Sequence, residues 1–230
     1  KAQRPFAADG EDMAMKSVLL IGLGRFGRHM AGKLNEMNHE VLAIDINEQR
    51  VNDVLPVVTS AQIGDSTNEN FIASLGVRNF DLCVVAIGDN FQSSLETVAL
   101  LKDYGAPFVV ARANRDVHAK FLLRNGADQV VYPEKEMAIR AAVKYSSDNV
   151  FDYIELTGDY SIYEVPIPRA WVGKTLVELS VRTKYHISVM ALRHGSHLDP
   201  LPRPDHVFQE DETMLILGAN KDLTKFILRK

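Results

Sequence analysis

A four-residue apolar run, Val18-Leu19-Leu20-Ile21, leads directly into Gly22-Leu23-Gly24-Arg25-Phe26-Gly27. This junction constrains the fold more than any other part of the chain. The run is short and β-branched, as in a strand buried on both faces of a parallel sheet. The glycines follow the pattern G-x-G-x-x-G and open a segment with apolar residues at Phe26, Met30, Leu34 and Met37. Spacings of four, four and three residues lie on one face of a helix. Strand, glycine turn and helix together place unpaired N–H groups at the positive end of a helix, where phosphates bind. In this reading Gly22 permits the tight turn, Gly24 lets a pyrophosphate approach the backbone, and Gly27 lets helix and sheet pack closely.

The rest of the first half repeats the alternation. Val41–Asp45 reads as a second strand ending in an acid eighteen residues after Gly27. A carboxylate there accepts hydrogen bonds from a ribose diol. Further strands are expected at 82–87, 108–111 and 129–132, with helices at 69–75, 91–102 and 118–124. Gln62-Ile63-Gly64-Asp65-Ser66-Thr67 reads as a loop after a third strand, either beside an adenosine or as an ordinary turn and helix cap. Gly88 follows a strand at the carboxyl edge of the sheet, where ligands of α/β folds bind. The pattern predicts an α/β, Rossmann-type doubly wound parallel sheet over residues 15–148, including a helix opened by Pro133.

Beyond residue 148 the pattern changes. Short strands are expected at 153–156, 162–165, 187–192 and 214–217, with helices at 175–181 and 221–228. Residues 149–230 therefore read as a second, small α+β domain. About 80 residues make a marginal core, so this domain is expected to dimerise. Residues 1–14 show no period and read as a disordered extension or expression remnant.

Composition excludes several classes. The net charge of -4 and the absence of a basic run argue against nucleic acid and anionic lipid as partners. No apolar stretch reaches the roughly 20 residues of a membrane span, so no direct membrane insertion is expected. The single cysteine, Cys83, sits in an apolar run and fits a buried strand position in a reducing compartment. An NAD(H)-dependent dehydrogenase or reductase is the alternative reading of the glycine motif. None of the seven tyrosines has a lysine four residues on, and the histidines of the second half lack an evident carboxylate partner. A non-enzyme is therefore expected. A pure assembly scaffold that binds no nucleotide is a third reading.

The segments VLLIGLGRFGRHMAGKL, EVLAIDIN, QIGDST, GVRNFDLCVVAIGDN and GADQVVYPEKEM, followed by YSIYEVPIP, VELSVRTKYHISVMALRH and ETMLILGANKDLTKF, resemble the domains that regulate potassium conductance (RCK domains). The resemblance is to the cytosolic regulatory subunits of bacterial Ktr/Trk potassium uptake systems and runs from about Met15 to the end. It implies a nucleotide, ATP/ADP or NAD(H), held by Gly22, Gly24, Arg25, Phe26, Gly27, Asp45, Asn47, Asp65, Ser66, Gly88 and Arg112. Arg25 would reach a terminal phosphate held by the neighbouring subunit. Glu134 would place a Mg2+ or Ca2+ ion near the phosphates. The second domain would dimerise and bind cyclic di-AMP near Arg182, Ile187 and Pro202. Homodimers would assemble into an octameric ring beneath a membrane potassium channel or transporter subunit. The protein would then be cytoplasmic, at the inner face of the membrane through that partner.

Overall fold

A computed structural model describes residues 14–147 and 149–228. The expectation for the first thirteen residues lies outside this range. Internal contacts divide the chain after Glu134 into two units, whereas the sequence reading divides it after residue 148.

In the first unit the strands are β1 (Ser17–Ile21), β2 (Glu40–Asp45), β3 (Ser60–Ile63), β4 (Leu82–Val85), β5 (Val109–Arg112) and β6 (Gln129–Val131). The helices are α1 (Arg25–Glu36), α2 (Glu48–Val54), α3 (Glu69–Ser74), α4 (Phe91–Asp103) and α5 (Asp116–Arg124). The strand order is β3-β2-β1-β4-β5-β6, and every pairing is parallel. This is the doubly wound arrangement that the alternation predicts. β1 supplies Leu19 and Ile21 to one apolar cluster and Val18 and Leu20 to another. Its side chains alternate between two covered faces, which is why no polar residue interrupts it. Cys83 lies in the first of these clusters and is fully buried. Burial pushes its thiol pKa up to about 12, against a smaller pull from Lys102.

The order reverses between β1 and β4, which leave in opposite directions from the centre of the sheet. The loops after these strands splay apart at the carboxyl edge and open a crevice there. Gly22 occupies this crevice with φ +96°, a left-handed conformation that side chains disfavour. At Gly27 a Cβ would stand 2.0 Å from the Gly22 carbonyl oxygen, so only glycine lets α1 start this close to the turn.

Helix α6 (Pro133–Ser146) begins at the end of the first unit. Its body belongs with the second: Arg140 makes two hydrogen bonds to Asp152, at 3.0 and 2.7 Å, and Val143 packs on the second core. The remaining elements are β7 (Asp152–Thr157), β8 (Tyr160–Pro166), α7 (Leu176–Leu179), α8 (Val181–Tyr185), β9 (Ile187–His194), β10 (His197–Asp199), β11 (Glu212–Ala219) and α9 (Asn220–Ile227). The strands form an antiparallel sheet in the order β10-β9-β11-β8-β7. The predicted helix at 175–181 is two short helices. Thr175 opens the first with a reciprocal capping box to Glu178, and Ser180 ends it in the left-handed region. The core is aromatic: the Trp171 ring lies 5.2–5.7 Å from those of Tyr185, Phe208 and Phe226.

Candidate nucleotide site

The crevice at the carboxyl edge of the parallel sheet is a cavity of about 670 Å³. Its walls come from the loops after β1, β2, β3 and β4, with Arg112 at the end of β5 and Pro133 and Glu134 after β6. Of the residues expected from sequence, Gly22, Gly24, Arg25, Phe26, Asp45, Asp65, Ser66, Gly88, Arg112 and Glu134 line it. Gly27 stands behind, where it sets the spacing between turn and helix. A Cβ at Gly24 would meet nothing within 4 Å. That backbone is open to an approaching group, and it begins α1 with no side-chain cap on the helix N–H groups. A phosphate would satisfy those donors.

Asp45 is buried, yet its carboxylate is not idle. Oδ2 accepts the buried Leu23 N–H at 2.7 Å and lies 3.5 Å from Arg50 Nη1; Oδ1 accepts the Asn47 N–H at 2.8 Å. The carboxylate therefore pins the glycine loop to the end of β2 as well as facing the cavity. Each oxygen retains lone-pair capacity for a ribose hydroxyl. Asn47, expected to bind nucleotide, is instead the N-cap of α2: its side chain accepts the Arg50 N–H at 3.1 Å, and it is not on the cavity wall. Asn-x-x-Arg at a strand end serves helix capping here, which its place two residues past the strand explains.

Asp65 accepts both the backbone N–H and the hydroxyl of Thr67, at 2.9 and 2.7 Å. These bonds, the hydroxyl's first, hold its pKa below the usual carboxylate value. Ser66 is buried and shares a 2.8 Å hydrogen bond with Thr97 on α4. The loop is a turn on the cavity wall, but the helix cap expected within it falls on the next residue: Asn68 caps α3 by accepting the Phe71 N–H at 3.1 Å.

Arg112 crosses the cavity floor beside Gly88. A Cβ on Gly88 would lie 2.5 Å from Arg112 Nη1, so the guanidinium rests directly on the glycine backbone. It also lies 5.8 Å from the centre of the Phe26 ring and is ion-paired with Glu134. Burial pulls the Glu134 pKa up, but it is outweighed by a backbone N–H, the Arg112 bond and the charges of Arg112 and Arg25, which together leave it below the usual value. Arg112 Nε is buried and makes no hydrogen bond. A buried donor without an acceptor costs about 1–3 kcal/mol. A nucleotide fits this set of groups: the uncapped helix N–H groups, the guanidinium groups of Arg25, Arg50 and Arg112, and the buried Asp45 carboxylate in one crevice. No group of three or more His, Cys, Asp or Glu side chains that could by itself hold a metal ion occurs among the described residues.

Sequence reasoning missed Arg50, Ile46 and Ser93 on the wall. Arg50 is signalled only by its place one helical turn after the cap. In the second unit Arg182 and Pro202 line a shallow hollow of about 410 Å³. Ile187 does not: it is buried in the core, and Val189 takes the place on the wall expected of it.

Residues 18–133 match the TrkA-N domain and residues 160–228 the TrkA-C domain. The chain is 40% identical over 211 residues to the Ktr system potassium uptake protein A of Bacillus subtilis (strain 168), an alignment covering 92% of this chain and 95% of that protein. It belongs to the Ktr family of potassium uptake proteins. The Ktr system potassium uptake protein C of the same organism is 38% identical over 92% of this Ktr-family chain and 96% of its own length. Among solved structures, the GsuK RCK domain superposes with a TM-score of 0.68 over 96% of the chain at 18% identity. This chain spans about half (49%) of that one. The architecture is therefore that of an RCK domain, with a Rossmann-type unit followed by the smaller antiparallel one. Family membership favours a regulator of potassium uptake over the dehydrogenase alternative.

Proposed function

We propose that this Ktr-family chain is a nucleotide-sensing regulatory subunit, which controls a membrane-embedded potassium channel or transporter subunit by the state of the crevice between β1 and β4. The observation that carries this reading is the convergence of positive groups there: the uncapped start of α1, Arg25 at its first turn and the Arg112 guanidinium. These groups suit a phosphate-bearing ligand. Among the described residues no helix is long and apolar enough to cross a membrane.

A nucleotide gates only if it binds two states of the assembly unequally. Arg25 is exposed on α1, where it can meet a terminal phosphate held by a second copy. Charge-assisted contacts of this kind contribute about 1.5–3 kcal/mol each, enough to change a state ratio roughly ten- to a hundredfold. A Mg2+ or Ca2+ ion would use Glu134 together with the phosphates, since a cation could replace or supplement Arg112 as its partner. Dimers joined into an octameric ring, and cyclic di-AMP seated near Arg182 and Pro202, complete the proposal. The nucleotide is ATP/ADP or NAD(H). Mass spectrometry of the small molecules released from purified protein, with calorimetry of ATP, ADP and NADH, tests it. A wild-type chain that binds none of the three would refute the reading and favour a pure scaffold. Turnover of NADH with a carbonyl substrate would favour the reductase.

A further inference from the structure

Behind the cavity floor lies a buried polar chain that the nucleotide reading leaves unexplained. His118 on α5 is fully buried. Its Nε2 is 3.2 Å from Ser94 Oγ on α4, and its Nδ1 is 3.2 Å from Asn114 Oδ1. Asn114 Nδ2 in turn donates to the Gly88 carbonyl oxygen at 2.6 Å. The Tyr132 hydroxyl fixes the Asn114 backbone by donating to its carbonyl at 2.6 Å.

The donor directions in this chain are determined from one end. The Gly88 carbonyl can only accept, so the amide nitrogen of Asn114 faces it and the amide oxygen faces His118. That oxygen can only accept, so Nδ1 of His118 carries the proton. In the neutral imidazole Nε2 is then an acceptor, and the Ser94 hydroxyl donates to it. Three hydrogen bonds run in one direction: Ser94 to His118, His118 to Asn114, Asn114 to Gly88. The Phe91 ring lies 5.0 Å from the imidazole and is itself covered by the Arg115 guanidinium.

The chain ends on Gly88, the residue against which the Arg112 guanidinium packs. Because the Arg112 guanidinium rests against Gly88 with no room for even a Cβ between them, the position of the Gly88 peptide sets where Arg112 can lie. We propose that Ser94, His118 and Asn114 are positioning residues for the nucleotide site. They hold the Gly88 carbonyl, and through it the Arg112 guanidinium, in the geometry that receives a phosphate. This rests on the nucleotide reading above and adds to it a device that links α4 and α5 to the phosphate-reading arginine.

Two measurements on the full chain test it. The first needs no variant: nitrogen-15 NMR of the His118 ring distinguishes the tautomers. The Nδ1–H form is expected, and a dominant Nε2–H form would overturn the donor chain. The second is calorimetry with ADP in a double-mutant cycle of Asn114→Asp and Arg112→Ala. Asn114→Asp keeps the acceptor for His118 but has no proton for Gly88. It is expected to weaken ADP binding about tenfold or more when Arg112 is present and less than twofold when Arg112 is alanine. Equal losses in both backgrounds, or none in either, would overturn the link to Arg112. Ser94→Ala serves if Asn114→Asp fails to fold: it removes the donor to His118 Nε2 and should weaken ADP binding several-fold when Arg112 is present and less than twofold when Arg112 is alanine, and no loss in either background would count against the proposal. If the wild type binds no ADP, ATP or NADH, the nucleotide reading itself fails, whatever the tautomer.

Discussion

Removing the Asp45 carboxylate separates two roles that sequence alone merges. If Asp45 served only a ribose, Asp45→Ala would cost affinity and leave stability intact. The structure predicts otherwise, because the carboxylate accepts a buried N–H from Leu23 at 2.7 Å and a partly buried one from Asn47 at 2.8 Å. Leaving the Leu23 donor unpaired costs about 1–3 kcal/mol. The Asn47 donor lies nearer solvent, and its loss costs about 0.5–1 kcal/mol once water replaces the partner. The half-exposed Arg50 adds little. The sum is about 1.5–4 kcal/mol, which at roughly 2–4 °C per kcal/mol for a chain of this size lowers Tm by roughly 3–16 °C. Asp45→Asn keeps one acceptor oxygen and should fall between wild type and Asp45→Ala. Thermal unfolding followed by circular dichroism, paired with ADP calorimetry, checks both effects. An Asp45→Ala melting point within about 1 °C of wild type would refute the loop-pinning argument, whatever happened to affinity.

The two glycines of the turn should part company: Gly27→Ala pushes a Cβ into the Gly22 carbonyl and should cost about 1–3 kcal/mol in thermal melts, while Gly24→Ala should leave Tm nearly unchanged and abolish ADP binding in calorimetry. Arg112→Ala should lower affinity for ADP by tenfold or more, since it removes a charge-assisted donor; the isothermal titration that shows no loss would remove it from the site. Burial first, and the Arg115 charge second, hold the His118 pKa below its ordinary 6.5, so the unfolded chain takes up this proton before the folded one does. Stability should be fully present above about pH 6.5 and fall as pH drops through that value toward the folded pKa; melts between about pH 7.5 and 5 should show this slope, and His118→Gln should flatten it. Cyclic di-AMP binding should be lost on Arg182→Ala and retained on the core-conserving Ile187→Val, measured by calorimetry.

The first unit was legible where burial is symmetrical. β1 is apolar at every position from Val18 to Ile21 because both of its faces are covered, and α1 shows its period over twelve residues. α2 escaped because only Val51 and Val54 of its seven residues are buried, too few to set a period. β3 has no buried residue and is defined by its pairing with β2 alone. In the site, the glycine turn and Asp45 announce themselves because their chemistry is local to a few consecutive residues. The Ser94–His118–Asn114 chain does not, since its members come from different elements and mean nothing until the fold joins them. Ile187, buried in the second core, shows a related limit: an apolar residue reads alike whether it floors a pocket or fills a core.

Cys83, fully buried and with its thiol pKa near 12, has a practical consequence. At neutral pH its thiolate fraction is on the order of one in a hundred thousand, and the thiolate is the reactive form. It is the only cysteine in the chain. A cysteine introduced at an exposed position such as Val117 or Phe121 on α5 would therefore take a maleimide dye selectively, with the native thiol left in place. Labelled pairs of such chains would report, by energy transfer, whether ADP and ATP set different distances between copies.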